Sequence, residues 1–168
     1  YSRRVRRLLP AAAINLVVTA IVFAAIAAPI EFAQAADGIR AAALYVANWH
    51  FIAQSNDYFA ADVAASPVLH FWSLSIEEQF YLLWPLALGG LFKVCGRAGA
   101  VRRSQLRAIV GALAVASLAA AWWIGRTDVT RAYYGTDTRA YQLLAGALLA
   151  LTPSLMTRFG PQAGATPA

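Results

Sequence analysis

Charged residues divide the chain into apolar stretches. Residues 8–30 (LLPAAAINLVVTAIVFAAIAAPI) hold 23 positions with no charge, more than the ~20 that a spanning helix needs. Residues 41–56 give 16 uncharged positions but include Asn48, His50 and Gln54, which is short and polar for a span. Residues 70–92 (HFWSLSIEEQFYLLWPLALGGLF) are apolar apart from His70, Glu77, Glu78 and Gln79. Residues 108–125 and 140–157 each supply 18 uncharged positions. Several long segments, in place of one short segment followed by a polar body, exclude a signal peptide.

Arginine and lysine set the expected orientation, because short cytoplasmic loops carry the excess of both. Arg3, Arg4, Arg6 and Arg7 precede the first stretch, and Lys93, Arg97, Arg102, Arg103 and Arg107 lie between the third and fourth. Both clusters, with Arg158, are expected inside. Residues 29–40, with Glu31 and Asp37, then form an outer loop, and only one complete span fits between residues 40 and 93. Residues 41–53 are left as a short re-entrant or interfacial helix, which is tolerated only beside protein or a polar cavity. The expected fold is all-α and integral to the membrane: four transmembrane helices plus that short helix, with both chain ends cytoplasmic. A fifth span through residues 41–53 is the alternative. Residues 158–168 read as a disordered tail.

Composition agrees. Hydrophobic residues make up 60% and charged residues 13%, against ~45–50% and ~25% in soluble domains. That excludes disorder, a disulfide scaffold and a conventional water-soluble enzyme. The net charge of +6 comes from 13 Arg and one Lys against eight acids. These cations cluster at membrane flanks instead of forming a soluble basic face, so no nucleic-acid partner is expected. Cys95, His50 and His70 are the only cysteine and histidines, and no metal site is expected from them.

Four motifs carry candidate chemistry. On an entering helix Arg3 and Arg7 stand one above the other, with Arg4 an i, i+3 neighbour of Arg7. Converging guanidiniums suit phosphate oxygens, and equally a positive-inside anchor at lipid headgroups. Ser66-Pro67 signals a helix start. His70, Ser73 and Glu77 then share a stripe continued by Tyr81 and Trp84, near the outer end of a span. Carboxylates within membrane segments usually face a cavity and carry function, and Glu77 and Glu78 point ~100° apart. In RAYYGTDTR, Gly135 serves a turn and Thr136 or Asp137 can cap a helix. Arg139 opposes the helix dipole there, so an ion pair with Asp137 or with a glutamate of the previous motif is expected. Asn48-Trp49-His50 is the weakest of the four, readable as an interfacial aromatic belt.

SRRVRRLLP, ANWHF, HFWSLSIEEQFYLLWP and YYGTDTRAYQLLAGALLA together resemble the membrane acyltransferase 3 family. These are bacterial O-acyltransferases similar to those that acetylate O-antigen, peptidoglycan and other extracytoplasmic glycans. The likeness covers residues 1–157. It implies that Arg4 and Arg7, with Arg3, meet the phosphates of an acyl-CoA co-substrate, acetyl-CoA foremost, in the cytoplasm. It implies that His70, Ser73, Glu77, Glu78, Asp137 and Arg139 line the acceptor side or its cavity. Further implied are the bacterial inner membrane, the bilayer as surroundings, and an extracytoplasmic glycan or lipid-linked sugar as acceptor. No bound cofactor is implied. Whole members have about ten spans, with a catalytic His on the first, ahead of the R-x-x-R pair. That segment is not within these 168 residues, so the chain is expected to be a central fragment, inactive alone, and neither His50 nor His70 takes the catalytic role. A transporter or ion-pathway fragment, with Glu77 and Glu78 as relays, is one rival reading, and a non-catalytic membrane assembly partner is the other.

Overall fold

The computed structural model describes residues 2–55, 66–95 and 103–152. Among them are seven helices and no strand: α1 Ser2–Ile26, α2 Pro29–Ala43, α3 Ala47–Ser55, α4 Phe71–Cys95, α5 Arg103–Ile124, α6 Val129–Tyr134 and α7 Thr136–Leu151. The all-helical, apolar character expected from the sequence is therefore present. Two helices are long and apolar enough to cross a membrane, Arg6–Ile26 of α1 and Arg103–Ile124 of α5; only 6% and 11% of their apolar windows are buried. The tail 158–168 lies outside the described residues, as does the end of the stretch 140–157.

The first departure from expectation lies between residues 29 and 55. The expected outer loop 29–40 is helical. Pro29 occupies the first turn, where its missing N–H costs nothing. The Glu31 carboxylate accepts from the Ala28 N–H at 2.9 Å, and Arg40 reaches Asp37 one turn back at 2.7 Å. α2 ends in a Schellman turn: the Val46 N–H donates to Ala41 O at 2.9 Å and the Tyr45 N–H to Ala42 O at 3.1 Å. The left-handed residue of this motif is ordinarily glycine; here it is Tyr45, at φ 55. The expected single helix over 41–53 is thus two helices broken at residues 44–46. They fold back on one another, since a Cβ on Gly38 of α2 would stand 3.7 Å from His50 Nε2 of α3.

The second departure is at the start of α4. Ser66 to His70 form a tight turn with i→i−3 bonds, such as Leu69 N–H to Ser66 O at 3.1 Å, and the regular helix begins at Phe71. The edge of α4 that packs inward is consequently Phe71, Ser75 and Gln79, each one turn apart. Ser75 is fully buried. Its hydroxyl donates to Phe71 O at 2.9 Å and accepts from the Ala47 N–H at 3.2 Å. Ser75 thereby caps α3, whose own sequence offers only Val46 before its first turn.

These contacts build a core at one level of the molecule. Leu16 packs with Ala42, Ala47, Phe51, Val68 and Phe71. Leu16 is ten residues after Arg6 and ten before Ile26, about 15 Å from each at the helical rise. The tip of the α2–α3 hairpin therefore meets the middle of α1 and not its end.

α5 and α7 pair antiparallel. Near one end Arg107 Nε donates to Leu151 O at 2.8 Å, placing a cation at the carbonyl end of α7 where the helix dipole favours it. Ten residues along each helix, the buried Ser117 hydroxyl donates to Asp137 O and accepts from the Tyr141 N–H at 2.9 Å. α5 continues for about 10 Å past this level to Ile124. α6, capped by Asp128 Oδ1 accepting from the Arg131 N–H at 2.7 Å, returns over that distance. α7 begins beside Ser117, not level with the end of α5.

Candidate functional site

The α2–α3 hairpin and α6 both fold back alongside the long helices, and their polar residues meet on the inner edge of α4. Gln79 is the centre. Its amide nitrogen donates to Tyr45 O at 2.7 Å and to Asn48 Oδ1 at 3.0 Å. Its amide oxygen accepts from the Thr136 hydroxyl at 2.6 Å and from Trp49 Nε1 at 3.3 Å. Both donors and both acceptor positions of the amide are used. Asn48, fully buried, donates in turn to Tyr134 O at 3.0 Å and to Thr136 Oγ1 at 2.9 Å. One network thus joins ANWHF, SIEEQFY and YYGTDTR, three motifs separated by up to 88 positions. It also holds the left-handed Tyr45, whose conformation costs roughly 1–2 kcal/mol in isolation.

Around this frame sit the charged residues. Arg131 grips Asp137 with two bonds, Nη1–Oδ1 at 2.8 Å and Nη2–Oδ2 at 2.9 Å, while its guanidinium lies 4.8 Å from the Trp49 ring. Gly135 makes the pair possible: a Cβ there would fall on Arg131 Nη1 and 2.8 Å from Arg131 O. Of the partners expected for Arg139, Asp137 is corrected: its partner is Arg131. Arg139 instead donates from Nε to Tyr133 O at 2.9 Å and stacks 4.5 Å from the Tyr133 ring. Neither Thr136 nor Asp137 caps α7 either; Gly135 occupies the cap, with no side-chain bond.

The remaining expected residues are distributed as follows. Glu77 and Glu78 are half-buried on α4. His70 and Ser73 are exposed, and the Ser73 hydroxyl donates to His70 O at 3.3 Å. Arg7 is exposed; the side chains of Arg3 and Arg4 lie outside the described residues. His50, in the motif read as weakest, has its Nε2 buried with no hydrogen-bond partner among the described residues. Sequence reasoning passed over Gln79, Thr136 as a network member, and Arg131. The available signal was a polar amide one residue from two glutamates in an otherwise apolar stretch.

The geometry defines a helical, membrane-type chain whose polar motifs are gathered by two inward-folded connections. Its relatives carry names. The chain is 37% identical over 152 residues to "Peptidoglycan O-acetyltransferase OatA" of Listeria monocytogenes, covering 88% of this chain and 23% of that protein. It is 37% identical over 158 residues to "O-acetyltransferase OatA" of Staphylococcus aureus (strain NCTC 8325), covering 89% of this chain and 24% of that protein. The likeness bears out the resemblance to the acyltransferase 3 O-acyltransferases and supports an acyltransferase assignment at family level. The chain spans about a quarter of the length of these curated relatives. No family model matches the chain, and no solved structure does.

Proposed function

We propose that the chain is part of a bacterial inner-membrane O-acyltransferase that moves an acyl group, acetyl in first place, from acyl-CoA to a hydroxyl of an extracytoplasmic carbohydrate. The observation that carries this reading is the meeting of the three motifs around Gln79, level with the middle of α1. With α1 spanning outward, the network lies near mid-depth, and charged groups such as Asp137 and Arg131 belong at a polar cavity there. α4 and α7 join α1 and α5 as four spans, the α2–α3 hairpin is the re-entrant element, and both chain ends face the cytoplasm. Arg3, Arg4 and Arg7 are then at the cytoplasmic end of α1, about 15 Å from the network's level, and bind the phosphates of the donor. The acceptor enters from the outer side, towards Glu77, Glu78, Asp137 and Arg139. These residues bind and position; proton removal from the acceptor hydroxyl is the work of a general base.

The test is acetyl-CoA binding to the purified chain in detergent, beside Arg4→Ala/Arg7→Ala. Binding that the double substitution weakens by about tenfold or more supports the donor assignment, since each charge-assisted phosphate contact is worth ~1.5–3 kcal/mol. Equal affinity for both proteins overturns it.

A further inference from the structure

Two clusters of aromatic rings with arginine differ in construction. At the end of α5, Trp122 and Trp123 are 61% and 68% exposed, and Arg126 lies 3.6 Å from the Trp122 ring. Neighbours in sequence at a helix end, they have the form of an interfacial aromatic belt. The second cluster takes its rings from three helices and its arginine from a fourth. Tyr133 of α6 is 4.9 Å from Trp72 of α4 and edge-on to Tyr134 at 5.0 Å. Tyr134 continues to Trp72 at 5.4 Å and to Phe51 of α3 at 6.1 Å. Arg139 of α7 is fixed to the same group by its bond to Tyr133 O and its stacking on the ring. That bond is its only hydrogen bond among the described residues, which leaves its outer nitrogens as donors. Tyr133 nevertheless remains 46% exposed.

We infer that Tyr133, Trp72 and Arg139 form a platform for a pyranose ring of the acceptor saccharide. The inference rests on the O-acyltransferase reading for the identity of the acceptor. A pyranose presents an apolar C–H face edged by hydroxyls. A fixed aromatic face beside a planar fork of donors is complementary to it: the ring covers the C–H face, and the guanidinium reaches hydroxyl oxygens. Position separates this surface from the belt. Arg139 lies in the first turn of α7 beside Ser117, whereas Arg126 is nine residues further along the chain, past the end of α5. A headgroup anchor has no need of a level so far inside the helix end, nor of rings locked by contacts from three elements. Both features suit a ligand that enters towards the Gln79 network, because preorganised rings and donors lose little freedom when it binds.

The experiment is saturation-transfer NMR on the purified chain in detergent with N-acetylglucosamine tetramer as the probe and no acyl donor present. The expected result is transfer to the sugar ring C–H protons, reduced roughly tenfold in Tyr133→Ala and retained in Tyr133→Phe, with weaker saturation binding in Arg139→Gln. No transfer to the unsubstituted chain overturns the inference, as does equal transfer in Tyr133→Ala. Saccharide binding by a chain whose affinity for acetyl-CoA is unchanged by Arg4→Ala/Arg7→Ala, by contrast, would count against the acyl-CoA-dependent reading and leave the platform standing.

Discussion

Around Gln79, four hydrogen bonds from one amide tie three separated motifs into a frame. Along α1, by contrast, the arginine motif stands on a helix whose apolar window is only 6% buried, with Arg7 exposed. Both regions break the rule that a membrane segment is apolar, but in different ways. Gln79, Asn48 and Thr136 satisfy one another, so these residues define geometry before any ligand arrives. In the arginine region Arg6 and Arg7 are exposed near the helix start, where they organise only around what they bind or anchor to. A polar residue deep in a bundle is thus evidence of architecture first and of function second. A cationic cluster at its edge is evidence of a partner.

Substitutions can break this contrast at several points. The largest loss of stability is expected for Asn48→Ala, which strips partners from Tyr134 O, Thr136 and Gln79 within the frame. At ~1–3 kcal/mol for a buried group left unsatisfied, we expect about 3 kcal/mol, read as the shift of the denaturation curve in detergent. Gly135→Ala comes next, at about 2 kcal/mol. Its added methyl displaces the Arg131 guanidinium, and Asp137 loses its partner with it. Arg7→Ala should change stability by less than about 0.5 kcal/mol, as exposed substitutions do. A loss comparable to that of Asn48→Ala would show that the arginine motif is also part of the frame.

Much of this molecule is legible in its sequence, and the illegible parts have physical reasons. Uncharged stretches identify α1 and α5 because a spanning helix is defined by length and composition alone. The signals for α2 were present in Pro29, Glu31 and the Asp37–Arg40 pair, yet its charges also read as an outer loop. The break at residues 44–46 left no trace, because the left-handed position that glycine usually marks is filled by Tyr45, held from α4 by Gln79. The same is true of the cap of α3, which Ser75 supplies from 28 positions away. Local pattern offers Asp137 as a partner for Arg139, two residues on, whereas Asp137 pairs with Arg131, six residues back across a glycine. In each case the deciding group comes from elsewhere in the fold, where local pattern carries no information.

The central claim is that Asn48 and Thr136, from motifs 88 positions apart, act as one unit. A double-mutant cycle with Asn48→Ala and Thr136→Ala, measured by denaturation in detergent, tests it most directly. The account predicts that the two losses fall short of additivity by about 1 kcal/mol, because each substitution already removes the bond they share. Losses that add to within about 0.3 kcal/mol would contradict it.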